Sequence, residues 1–217
     1  MGDMKRKGRV PTSQGHTRLV LSLRGGTMAI RKPQIVELSE QILGLLNKDP
    51  IDTPLSEFDI ARANKLIAQA GELYPALGHS FRGGLYSLMD KGAESIEEHR
   101  LAISLAPHDT VILTNYGTAL LLLARYGEAL DVFNKALDAD GSDAETVSGA
   151  IEASYYADRD SLANLLDAYK QLTGEPHYVV DWLEEDREDE ADIQAIIAEA
   201  QEKGVVPWEQ IKKELSL

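Results

Sequence analysis

Laid over itself with a shift of 34 residues, the sequence matches small residues to small ones and helix stops to helix stops. Gly117 falls on Gly83, Leu120 on Tyr86, Ala129 on Ser95, Ala136 on Ala102 and Gly141 on Pro107. A short repeating unit constrains the fold more than composition does. It cannot enclose a core alone and must bury its apolar face against the next copy. In the clearest unit, RYGEALDVFNKALDADG over residues 125–141, Ala129, Phe133 and Ala136 share one helical face. A stripe alternating tiny and bulky is a close-packing surface, with the aromatic ring filling the gap between two helices. The expected partner is Gly117 and Leu120 on the preceding helix.

The period, with its small and large positions Gly117, Leu120, Tyr126, Ala129, Phe133 and Ala136, resembles the tetratricopeptide repeat. Residues 110–143 are the best copy, with helices expected at Val111 to Ala124 and Glu128 to Ala139 around a turn at Arg125 and Tyr126. Residues 76–109 form a second copy, with His99 at the aromatic place. Residues 144–177 form a degenerate third, keeping Ala163 but setting Ile151, Asp167 and Lys170 where Gly, an aromatic and Ala belong. Upstream, the amphipathic stretches Ile35 to Asn47 and Ser56 to Leu73 suggest a further pair, with Thr53 before Pro54 as a candidate N-cap. The resemblance implies an all-α, right-handed solenoid of about four helix pairs over residues 31–175, closed by C-terminal capping helices.

Charge divides the chain. Residues 1–32 hold eight of the 22 Lys and Arg and only Asp3 among the acids, which leaves 14 bases against 35 acids in the rest. A field of that sign repels phosphate backbones, so nucleic acid is not an expected ligand of the folded body. Residues 1–30 read as a basic arm, open to three explanations: a start mis-assigned upstream of Met28, a contact arm, or a targeting segment. The only apolar run there, Leu19 to Leu23, is too short for a signal-peptide core, and no later run is long enough to span a bilayer. The absence of Cys excludes disulfides and thiolate chemistry and fits a reducing, cytoplasmic compartment.

Residues 176–217 read as an acidic cap and tail. DWLEEDREDEAD carries eight acids and one Arg, and Ile193, Ile196, Ile197 and Ala200 make a helical stripe behind it. After Gly204, the tail VVPWEQIKKELSL places Trp208, Ile211 and Leu215 on one face. This tail is similar to those of some bacterial type II antitoxins, which implies a toxin-neutralising or dedicated-chaperone role as the alternative to a general interaction module. A final capping helix would carry the same pattern.

No phosphate loop or paired-His metal motif occurs, and the five His stand apart at 16, 79, 99, 108 and 177. His99, aligned with the aromatic place, is expected as a packed imidazole rather than a base. DADGSDAE, residues 138–145, has its Gly at the wrong place for a calcium loop. It reads better as a turn in which Ser142 and Glu145 form a capping box. With no catalytic constellation, no cofactor and no metal expected, the function falls to the surface: binding a protein or peptide segment. The resemblance places the concave groove on the first helix of each copy, at Leu77, Ser80, Gly84, Ser87 and Leu88. Val111, Thr114, Thr118, Leu121 and Leu122 follow in the next copy, then Glu145, Ser148, Glu152, Tyr155 and Tyr156. The Lys- and Arg-rich carboxylate clamp of some relatives is absent, Asn115 and Arg82 alone lying near the groove, so an apolar or basic segment is the expected guest.

Overall fold

The computed structural model describes residues 33–47, 54–140 and 143–203. All secondary structure among them is helical: α1 (Pro33–Leu46), α2 (Glu57–Leu73), α3 (Pro75–Leu88), α4 (Gly92–Leu105), α5 (Thr110–Leu122), α6 (Tyr126–Ala139), α7 (Ala144–Ala157), α8 (Leu162–Thr173) and α9 (Val179–Lys203). The chain divides into two compact units, one holding α1 to α8 and the other beginning at Tyr178 and holding α9. Among the described residues, no helix is long and apolar enough to cross a membrane.

Helix starts are set by side chains in phase with the repeat. Asp109 caps α5 by accepting from the amides of Val111 and Ile112, and Asp143, 34 residues on, caps α7 by accepting from Thr146. The capping box expected from Ser142 is therefore replaced by an Asp one residue later. For α2 the cap is Ser56, which accepts from the Asp59 amide, and not Thr53, which lies outside the described residues. Either residue type satisfies an orphan amide, and the one adjoining the first helical turn does so here. Helix ends also repeat. Asp90 and Ala124, again 34 apart, take left-handed backbone angles (φ 57° and 54°). The amides of Lys91 and Arg125 then reach back to the carbonyls of Tyr86 and Leu120, closing α3 and α5 with the same C-terminal motif. Hence α5 stops at Leu122 rather than Ala124, and α6 begins at Tyr126 rather than Glu128.

In the larger unit, helices touch only neighbours in the chain or next-but-one. Consecutive helices pair, and α1, α3, α5 and α7 touch in succession. The buried apolar residues form two clusters, one running from Ile35, Ile42, Ile67 and Leu77 to Ile112 and the other built around Leu120, Phe133 and Ala150, with the half-buried Ile103 packed against both. Ala129, Phe133 and Ala136 are fully buried in the second. The Phe133 ring lies against Gly117 on α5, where a methyl would stand 2.7 Å away, and against Gly149 on α7, where the fit is tighter still. The second glycine is not at Ile151, where the 34-residue shift expects it, but two residues earlier. Ala129→Leu should cost about 1 to 3 kcal/mol by overpacking; an unchanged denaturation midpoint would contradict this arrangement.

The third copy departs from the others. The turn between α7 and α8 spans residues 158–161, one residue longer than the turns at 89–91 and 123–125. Leu162 is consequently the buried residue at the start of α8, and Ala163, expected inside, is exposed. In the second unit, Trp182 stands edge-on to Tyr178 with ring centroids 5.0 Å apart. Glu184, Glu185, Glu188, Asp189 and Glu190 are exposed along α9. The side chains of Ile193, Ile196, Ile197 and Ala200 lie outside the described residues, as do the basic arm of residues 1–30 and the tail of Trp208, Ile211 and Leu215.

Candidate protein-binding face

The residues expected to line a groove sit on α3, α5 and α7, and most are enclosed. Leu77, Ser80 and Ser87 on α3, Thr114, Thr118 and Leu121 on α5, and Glu152 on α7 are all buried. Val111 and Gly84 are buried as well. As they stand, these side chains offer a partner almost no surface.

Their hydroxyls serve a different purpose. Ser80, Thr114 and Ser148 occupy one repeat position, 34 residues apart, and each bonds to the layer that follows. Ser80 Oγ accepts from Asn115 Nδ2 at 3.0 Å. Thr114 Oγ1 lies 2.7 Å from Thr146 Oγ1, and since Thr146 gives its proton to Asp143 Oδ2, Thr114 is the donor. Ser148 Oγ lies 2.8 Å from His177 Nε2, in the segment between α8 and α9. Thr118 and Ser87 turn inward on their own helices, donating to the carbonyls of Thr114 and Gly84. A buried hydroxyl without a partner is costly, so this register of three rungs fixes which layer follows which.

What remains open is a narrower row. Leu88 and Leu122, at the C-terminal ends of α3 and α5, are 37% and 36% exposed. The same position in the third copy is Tyr156, half-buried and stacked on Tyr126 with centroids 4.5 Å apart. Tyr155 meets Tyr156 edge-on and carries the Arg159 guanidinium 4.3 Å above its ring. A row of one apolar side chain per layer, ending in a tyrosine cluster, can hold a segment by area and ring contacts.

His99 is the packed imidazole expected, fully buried against Gly83 and stacked on Tyr116 with centroids 5.2 Å apart. Both its ring nitrogens lack hydrogen-bond partners, and burial pushes its pKa down to about 3. It is neutral at physiological pH and has no access to a ligand. Among the described residues, no group of three or more His, Asp or Glu is placed to hold a metal ion. A scan against protein-family models gave no match, and no curated protein matched the sequence.

Proposed function

We propose that this chain is a non-enzymatic protein-interaction module, a right-handed solenoid of tetratricopeptide-like helix pairs that binds a segment of another protein along the Leu88, Leu122 and Tyr156 row. The observation that carries the reading is the shared period. The hydroxyl rungs, the Asp caps, the left-handed turn residues and the exposed row all recur at 34 residues. Helices touching only near neighbours in sequence supports the solenoid. A net charge of -14 favours an apolar or basic guest. The neutraliser alternative turns on the tail residues Trp208, Ile211 and Leu215, and a cytoplasmic bacterial setting suits either reading.

Replacing Leu88 and Leu122 together with Ser tests the row. Both are partly exposed, so stability should change by no more than about 1 kcal/mol. Binding of the partner identified by affinity capture from the native host and mass spectrometry should weaken at least tenfold when remeasured by calorimetry with purified proteins. Unchanged affinity with intact helical circular dichroism would remove the row from the interface.

A further inference from the structure

Between the layer of α3 and α4 and the layer of α5 and α6, the 34-residue register is broken in favour of charge at three places. In the α5 layer, Leu113 and Tyr116 on that helix and Val132 on α6 are buried apolar residues of the core. The residues 34 earlier are His79, Arg82 and Glu98. Ile112, fully buried, and Leu105 correspond to Gly78 and Gly71. The earlier layer thus loses bulk where the later one has it and sets ionisable groups where the later one is apolar. Sequences depart from local packing rules of this kind where a site is wanted more than stability.

The departure leaves a cleft of about 320 Å³ between α2 and α3, at the lower end of the range for small-ligand sites. Its floor is Ala68, Gly71, Pro75 and Gly78, and its charged lining is Glu72, His79 and Arg82. Gly78 lets the helices meet backbone to backbone: a methyl there would stand 2.5 Å from the Gly71 Cα. Behind the cleft, Glu98, only 17% exposed, lies 2.7 Å from His79 Nδ1 and 3.7 Å from Arg82 Nη1. That carboxylate accepts the Nδ1 proton of the imidazole, which leaves Nε2 of the neutral ring as an acceptor, and it pairs loosely with the guanidinium, most of whose protons stay available for a ligand carboxylate. Glu72, in the last turn of α2, has no ion pair among the described residues. Its charge adds to the negative end of that helix.

We infer that this cleft is a binding site for a short zwitterion, a free amino acid or a molecule of dipeptide length, with its ammonium at Glu72 and its carboxylate at Arg82. A simple anion meets Glu72 and Glu98, and a simple cation meets Arg82; a ligand carrying both charges satisfies the two ends, over an apolar floor with room for a small side chain. The inference stands apart from the protein-binding row, which involves none of these residues.

The test is a titration of the isotope-labelled full chain, followed by amide NMR at Gly71 and Gly78, whose signals report the cleft floor. Glycine, γ-aminobutyrate and glycylglycine, which differ in charge separation, should give saturable shifts for at least one of the three. The N-acetylated and C-amidated forms of that ligand, each lacking one charge, should bind at least tenfold more weakly. Glu72→Gln and Arg82→Gln should each weaken binding by a similar factor. Gly71→Leu, which restores the later layer's residue where a Cβ meets only Gly78 at 3.6 Å, should fill the cleft and abolish the shifts while keeping the circular dichroism spectrum. No shift at millimolar ligand, or equal binding of the blocked forms, would overturn the proposal. Shifts from a Lys-rich peptide but not from the zwitterions would overturn it too and make the cleft a pocket for a partner's basic side chain.

Discussion

Phe133→Ala should lower the unfolding free energy by about 3 to 5 kcal/mol, the largest loss expected from truncating one side chain in this protein. The ring is fully buried and stands between two helices, with Gly117 of α5 on one side and Gly149 of α7 on the other. Removing it leaves a void that spans two layers. Gly149→Val tests the same wedge from outside: in the native background it drives a side chain into the ring and should cost as much or more. In the Phe133→Ala background the valine enters space already vacated, so the second change should cost far less and could restore stability. Urea denaturation of the four proteins gives the coupling directly. Additive costs would show that Phe133 is not held between the two glycines.

Much of this wedge is legible in the sequence, and the missing part is instructive. Gly117, Ala129, Phe133 and Ala136 lie in one unit and fall out of helical spacing. Gly149 belongs to the next unit and does not fall on the expected place, because the periodic shift relates equivalent positions, whereas Phe133 touches a non-equivalent one. The burial of the expected groove residues is hidden in the sequence for a different reason. Ser80, Thr114 and Ser148 look like surface residues by type, yet a hydroxyl is small enough to lie between helices once a rung satisfies it. The cleft of Glu72, His79 and Arg82, with Glu98 behind it, draws its charges from three helices, so no single helical face displays it. The signal was available: the same overlay that matches glycine to glycine sets His79, Arg82 and Glu98 on Leu113, Tyr116 and Val132.

Acid should destabilise this protein through two buried histidines. Burial pushes His99 down to about 3 and His177 down to about 4, from an ordinary value of 6.5. In the unfolded chain both take up protons near pH 6.5, while in the folded chain they resist. Between those limits the unfolded state binds more protons, so stability is full above about pH 7 and falls as the pH drops through 6.5 toward 4. For His99 the loss from pH 7 to pH 4 is on the order of 3 kcal/mol; His177 acts in the same direction. His99→Leu, close in volume and free of titration, should flatten the dependence of melting temperature on pH between 7 and 4.5. At pH 7 it should hold or gain stability, because the two unpartnered nitrogens disappear. A variant with the wild-type pH profile would mean that the imidazole finds a proton acceptor when the protein is acidified. Phenylalanine is the poorer replacement, since Phe133 needs a glycine on each side and His99 has only Gly83, with Tyr116 stacked nearby.

The rungs have a consequence for how the chain finds its fold. Tandem units of similar sequence are prone to swap partners while folding, one helix taking its neighbour's place. Here each junction joins a different chemical pair: serine with an asparagine amide, threonine with threonine, serine with an imidazole. A helix seated against the wrong successor would bury Asn115 or His177 opposite a group of the wrong reach, leaving a polar atom dry. The hydroxyls at one period thus serve as distinct addresses, and the order of the layers is proofread as the chain assembles.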